Sequence, residues 1–281
     1  MPRALETAAL TALALTSFAF NSILTRLALR GGHLDAASFT AVRLATGALV
    51  LALLVRAHAG GWGALRGRGW AGPVALFAYA APFSFSYVRI GAASGALVLF
   101  GTVQLTMIGW GIAHGERPGL RTWLGLLLAA GGLAALILPA ASRPDPLGTA
   151  LMVVAGVAWG SYSLQGKKAP DPLAANARGF LFSVPLALLL SAATFRSASG
   201  DARGALLAAL SGAVTSGLGY AIWYRALRGL TAVRAAILQL SVPVIAAVAA
   251  VLLLGETVSE RLVVCGATVL GGVALALTGR R

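Results

Sequence analysis

Charge is scarce in this sequence: 11% of its 281 residues are Asp, Glu, Lys or Arg, against 58% in the apolar class. Water-soluble chains carry about 25% charged and about 45–50% apolar residues. Too little polar surface exists here to coat a folded body in water, so lipid is the solvent. Acidic residues are scarcer still, 8 against 22 basic. The formal charge of +14 would suggest nucleic acid in a soluble protein. Here the basic residues stand mostly between apolar runs and mark loops beside a membrane, so no nucleic-acid partner is expected. Cysteine occurs once, as Cys265, which excludes an intrachain disulfide. The alternating pattern of a transmembrane β-barrel is missing. So are a His, Asp or Glu cluster for a metal, a Ser/His pair within helical reach and a phosphate-binding loop. Those gaps dispose of most membrane-enzyme chemistry; neither an enzyme nor a cofactor or metal is expected.

What is abundant is apolar length. Nine runs carry no charge: 7–25, 69–88, 90–115, 122–142, 146–166, 179–195, 204–224, 235–255 and 262–279. At 1.5 Å per residue, about 20 helical residues cross a hydrocarbon core of about 30 Å. A tenth segment, 36–55, is equally apolar except for Arg43, about two turns from its start, which is placed to snorkel to the headgroups. Backbone groups in lipid must be satisfied within their own segment. The sequence therefore predicts an all-α integral membrane protein of ten transmembrane helices. The first run is too long for a signal peptide, carries Asn21 and ends in Arg26 and Arg30, so it reads as a span. More basic residues fall on the N-terminal side, and the positive-inside rule puts both termini in the cytoplasm of a bacterial-type inner membrane. Arg26 and Arg30 locally oppose that orientation by outweighing Arg3.

The chain also repeats. Around residue 115 it reads GERPGLRTWLGLLLAAGGLAALI, and around 255 GETVSERLVVCGATVLGGVALAL. At an offset of 140, Gly115/Gly255, Glu116/Glu256, Arg121/Arg261, Gly131/Gly271, Gly132/Gly272 and Ala134/Ala274 coincide. With small gaps, residues 20–22 match 159–161, and Asp35 to Arg43 matches Asp171 to Arg178. The expected halves are a five-helix repeat over 1–140 (spans about 4–25, 36–55, 70–88, 92–113 and 122–140) and another over 141–281 (spans about 147–165, 173–195, 205–224, 231–254 and 261–278). Five is odd, so the second copy enters the membrane from the opposite side. Such inverted repeats build alternating-access transporters with the substrate near the midplane; duplication as a mere route to larger bundles is the competing explanation.

These elements together resemble the drug/metabolite transporter superfamily in its EamA-type branch: two five-span halves, a Gly-Glu block followed by paired glycines in spans five and ten, an aromatic-Asn/Gly-Ser element in spans one and six, and an Asp-to-Arg spacing opening spans two and seven. The likeness covers essentially the whole chain and is closest to the bacterial aromatic amino acid exporter group. It implies a transporter of small metabolites.

Helical phase selects candidate site residues without that likeness. Tyr79, Phe83 and Ser86 share one face of span three, and Ser216, Tyr220 and Trp223 correspond to them in span eight. Span one offers Ser17, Phe20, Asn21 and Leu24, and span six Gly156, Trp159, Gly160 and Ser163. Amides and clustered hydroxyls are unfavourable against lipid, so these faces point inward. The expected substrate-binding set is Asn21, Tyr79, Phe83, Gln104, Trp159, Ser163, Tyr220, Trp223 and Gln239. Gln104 and Gln239 would serve equally as interhelical bonds worth about 0.6–2 kcal/mol. Pro82, Pro243 and Pro185 are expected to kink their helices, the first two as gates. Trp62, Trp70 and Trp123 read as interfacial belt residues. Structural roles fall to Glu116 and Glu256, as caps of the helices they open, and to Arg43 and Arg178, paired with Asp35 and Asp171.

No acidic residue lies in the middle of a span. A proton-driven cation antiporter usually needs a membrane-embedded carboxylate, so a neutral aromatic site for a zwitterion or uncharged solute is expected. The expected function is export of small amphipathic metabolites, aromatic or other neutral amino acids first, by a monomer in the lipid bilayer. The alternative is a multidrug or nucleotide-type carrier of the same superfamily.

Overall fold

The computed structural model describes residues 3–59, 63–65, 69–138, 145–254 and 258–279. Among these, ten helices are long and apolar enough to cross a membrane. They are α1 (Ala4–Arg30), α2 (Ala36–His58), α3 (Ala71–Ile90), α4 (Ser94–Ala113), α5 (Leu120–Ile137), α6 (Pro146–Lys167), α7 (Pro172–Ala193), α8 (Ala202–Leu227), α9 (Ala232–Leu253) and α10 (Glu260–Thr278). The described residues contain no strand, only an isolated bridge between Leu34 and Gly200.

The few acidic residues show where helices begin. A helix start leaves backbone N–H groups unsatisfied, and a short oxygen-bearing side chain just before it accepts from them. Asp35 accepts from Ala37 and Ser38 at 3.0 Å, Asp145 from Gly148 at 2.6 Å, Asp171 from Leu173 and Ala174 at 3.0 Å, and Asp201 from Gly204 at 2.8 Å. Thr231 and Ser259 do the same for α9 and α10. Asp35 is therefore occupied by its own helix and by the N–H of Ser199, and Arg43 is not its partner. Partial burial pushes the Asp35 pKa up, but the N–H groups of Ser38, Ser199 and Ala37 outweigh that and leave it below the usual 3.8. Asp145 is also held low, chiefly by its bond to the Arg89 guanidinium 2.7 Å away and then by Gly148. For Asp201 the Gly204 N–H is the main cause, followed by His33.

Helices α3 and α4 lie in a single helical run, Ala71–Ala113, of 43 residues, although separate spans were expected. That run follows α6 in both senses. Gly72 faces Gln165, Tyr79 packs on Trp159, and the Ser86 hydroxyl donates to the Gly148 carbonyl. Beyond residue 90 the order reverses: Gly95 approaches Met152, Thr102 lies over Gly156 and Thr106 over Gly160. The run therefore folds back near Ile90, and each arm crosses the bilayer separately. A Cβ at Gly156 would stand 2.6 Å from the Thr102 Cβ, so α4 and α6 meet through the small-residue pair Gly156/Gly160.

The principal packing joins early helices to late ones: α1 to α8 and α9, α2 to α7 and α8, α3 and α4 to α6, and α5 to α10. On the α5–α10 seam, a Cβ on Gly272 would come 2.5 Å from the Ala129 nitrogen, and one on Gly132 3.1 Å from the Val269 nitrogen. Two of the central helices are irregular. Helix α8 holds a π-helical segment, Ser211–Leu218. Helix α9 is broken into Ala232–Gln239 and Val242–Leu254.

Candidate functional site

Helices α1, α3, α4, α6, α8 and α9 enclose a central cavity of about 30 Å³. Its lining is Phe18, Asn21, Ser22, Tyr79, Phe83, Leu99, Phe100, Trp159, Tyr220, Gln239 and Val242. The rings form a continuous wall. Trp159 lies 4.6 Å from Tyr220, 5.0 Å from Tyr79 and 5.3 Å from Phe18 between ring centres. Small-molecule pockets usually measure about 300–1,000 Å³, so this cavity is too small for a metabolite and has room for a water or two. A larger hollow of about 370 Å³ opens elsewhere, at the span ends around Glu116 and Arg234. It is wider but lies away from the aromatic and amide groups.

The π-helical segment explains how one face of α8 carries so many hydroxyls. With i→i+5 hydrogen bonding, residues four and five apart share a side. Ser211, Thr215 and Ser216 accordingly all donate to Oδ1 of Asn21, at 2.7, 3.2 and 3.4 Å. Gly47 and Gly217 let α2 approach this segment closely, a Cβ on Gly217 standing 3.3 Å from the Gly47 Cα. Wider turns of this kind recur at functional sites.

Close approach of α2 places Arg43 where the sequence reading did not. Snorkelling fails because the side chain is only 1% exposed and turns into the bundle. Its Nε donates to the Ser216 hydroxyl at 2.9 Å, and one terminal nitrogen donates to Tyr220 at 2.5 Å and Tyr79 at 3.3 Å. The guanidinium carbon also lies 5.3 Å from the Tyr79 ring centre and 5.8 Å from that of Phe83. A fixed cation therefore stands directly behind the cavity wall, and the expectation of a neutral site is corrected. Arg178, its counterpart in the expected repeat, is half-buried on α7, so the two environments differ.

Of the expected substrate-binding residues, Asn21, Tyr79, Phe83, Trp159, Tyr220 and Gln239 line the cavity together. The Trp159 indole N–H donates to Oε1 of Gln239 at 2.7 Å, and the Gln239 amide nitrogen donates to the Ala235 carbonyl at 3.3 Å. Gln104, Ser163 and Trp223 are not in the lining. Gln104 is spent joining α4 to α9 through the Ala236 carbonyl at 2.7 Å, and the Trp223 indole donates to Ser163 behind the wall at 3.2 Å. In α1 the inward face is rotated by about a quarter turn from the expected one: Asn21 belongs to both, but Phe18 faces inward, while Phe20 is 36% exposed. Phe18, Ser22, Leu99, Phe100 and Val242 are lining residues that sequence reasoning missed. Only Phe18 and Ser22 carried a signal, as neighbours of Asn21 at i−3 and i+1.

The expected gate prolines differ from each other. Pro82 and Pro185 remain inside continuous helices. Pro243 follows a true break at Leu240–Ser241 and sits in the first turn of the second α9 segment, whose first residue, Val242, lines the cavity. A proline is tolerated there because that N–H would be unpaired in any case. Glu116 is a cap, but of another helix. Gly115, at φ +90°, ends α4 in a left-handed turn, and Glu116 then accepts from Ala232 at 2.6 Å and Val233 at 3.0 Å at the start of α9. Glu256 and Trp62 lie outside the described residues; Trp70 and Trp123 are exposed at span ends.

A small aromatic cavity is thus bounded by a π-segment, a broken helix and a buried cation, within ten spans. The EamA-like transporter family model matches residues 146–278. An uncharacterized protein of Pseudomonas aeruginosa is 50% identical over 98% of this chain and 96% of its own length. The chain belongs to the EamA-like transporter family. As an EamA-like protein it is a multi-pass membrane protein of the drug/metabolite transporter superfamily. A solved crystal structure, 20% identical over 98% of this chain and 99% of its own, superposes with a TM-score of 0.81. At that identity the likeness fixes the fold of this EamA-like chain and nothing further.

Proposed function

We propose that this EamA-like protein exports small amphipathic metabolites, aromatic or other neutral amino acids first, by alternating access in a bacterial-type inner membrane with both termini cytoplasmic. The observation that carries the reading is the central cavity, where aromatic rings suit an apolar side chain and Asn21, Tyr79, Tyr220 and Gln239 offer hydrogen bonds. Its two halves, 1–140 and 141–281, would be inverted copies. Support comes from the packing: α1 on α8 and α6 on α3 are equivalent pairs under that relation, as are α1 on α9 and α6 on α4. The contacts Gly132 to Val269 and Gly272 to Ala129 are likewise equivalent.

Opening the closed cavity requires the rings of α1, α3, α6 and α8 to separate, and the break in α9 gives one wall a place to bend. Purified protein in liposomes preloaded with labelled phenylalanine tests the reading. Protein-dependent efflux is expected, reduced in Trp159→Ala and Gln239→Ala. No flux of phenylalanine or any other neutral amino acid would remove the substrate assignment, and proton-gradient-dependent flux of methyl viologen instead would select a multidrug carrier.

A further inference from the structure

Resting on the reading of the central cavity as a solute site, we propose that Arg43 makes that site selective for solutes carrying a carboxylate. Burying an ion in a membrane protein is costly, and such residues are usually paired with an opposite charge. Among the described residues none supplies that charge to Arg43. Its hydrogen-bond partners are three neutral hydroxyls, on Ser216, Tyr220 and Tyr79, and its second terminal nitrogen, Nη1, is buried with no hydrogen-bond partner. The acidic residues described are committed elsewhere. Glu6 pairs with Arg225, Asp35, Asp145, Asp171 and Asp201 cap helices, Glu116 holds α9, and Glu260 lies in the first turn of α10.

The position of the orphan donor points to a ligand more than to a scaffold. Tyr79, Tyr220 and Phe83, which hold the guanidinium, are themselves lining residues, and Ser216 passes on to Asn21, another lining residue. The guanidinium is thus one side chain from the cavity. A structural arginine needs its donors satisfied by the fold, because a buried charged donor left unpaired is destabilising. When the ring wall parts, as opening of the cavity requires, a carboxylate would accept from Nη1 and from the Tyr79 or Tyr220 hydroxyl, neutralising the cation through charge-assisted bonds. Val242, at the start of a half-helix on the same cavity, adds the positive end of a helix dipole. The ring wall meanwhile takes the apolar body. The class so defined is an amphipathic aromatic or aliphatic carboxylate, with or without an ammonium group.

Equilibrium binding to the purified protein tests this apart from transport. Labelled 3-phenylpropionate, which has the ring and carboxylate of phenylalanine without its ammonium, should bind. Phenethylamine, which has the ring and ammonium without the carboxylate, should compete at least about tenfold less well, the scale of one charge-assisted bond. Arg43→Gln should abolish that preference and Arg43→Lys retain part of it. Equal competition by the two compounds, no binding of 3-phenylpropionate, or an unchanged preference in Arg43→Gln would each overturn the proposal. If Arg43→Gln does not fold, the wild-type preference and Arg43→Lys decide the matter alone. Carboxylate-selective binding without flux in liposomes would overturn the transport reading and leave this inference standing.

Discussion

Where α5 crosses α10, glycine and alanine bring two backbones into direct contact. Where α1, α3, α8 and α9 meet, a buried cation, a row of hydroxyls and a small void are kept instead. Both regions join helices from opposite ends of the chain, but they use membrane physics differently. At the seam, close van der Waals approach replaces the hydrophobic drive that lipid removes. At the cavity, packing is given up and a buried donor, Nη1 of Arg43, is left without a partner, as a site kept for a ligand would leave it. Stability therefore concentrates in the first region, and the proposed solute recognition in the second.

Four substitutions can break or sharpen that contrast. Gly272→Leu should have the largest effect, since even a Cβ there would meet the Ala129 nitrogen at 2.5 Å. It should cost about 3 kcal/mol or more by overpacking, seen as loss of monodisperse protein or a sharply lower thermal midpoint. Tolerance would show that the seam is not the anchor. Next, Trp159→Ala removes ring contacts to Tyr79, Tyr220 and Phe18 and the bond to Gln239. Solute binding or flux should fall by about tenfold or more, the scale of about 1.4 kcal/mol of lost contact, while the protein remains folded. A variant that loses fold and flux together would erase the distinction between the regions.

Glu116→Gln is a smaller perturbation. It weakens the bonds to Ala232 and Val233 and should lower stability by about 0.5–2 kcal/mol, with a drop in thermal midpoint as the readout. Smallest is Asp145→Asn. The folded carboxyl is held below 3.8 by Arg89 and Gly148, so its contribution is complete above the unfolded value and disappears as pH falls through the depressed one. The variant should melt slightly earlier at pH 7 and indistinguishably from the parent in acid beyond that range. A deficit persisting in acid would show that geometry matters there, not charge.

Much of the scaffold was legible in the sequence. Charge-free runs of span length admit little but membrane helices, and Asp-Pro at 145–146 and 171–172 marks helix starts by local chemistry alone. Most of the aromatic lining followed from helical phase, because Tyr79 and Phe83 are one turn apart and Trp159 stands among small residues. Phase was less informative in α1, where Phe18 and Phe20 both suit an apolar face and the neighbouring helices choose between them. For Gln104, amide chemistry is the same whether it meets a solute or the Ala236 carbonyl, and only the position of α9 decides. Glu116 looked local because its own helix follows at once, but the left-handed turn at Gly115 sends it to α9.

Arg43 marks the boundary most clearly. By itself the sequence determined that lipid surrounds the chain, that ten spans cross it, that acidic groups stay at the span ends, and that aromatic and amide side chains face inward. These follow from hydropathy, length and helical period, which are local properties. Whether an arginine about two turns into a span reaches outward to headgroups or inward to hydroxyls depends on what stands beside it. Only the packing of α2 against α3 and the widened turns of α8 turned that charge toward the cavity, because the hydroxyls that hold it come from Tyr79, Ser216 and Tyr220, residues far apart in the chain.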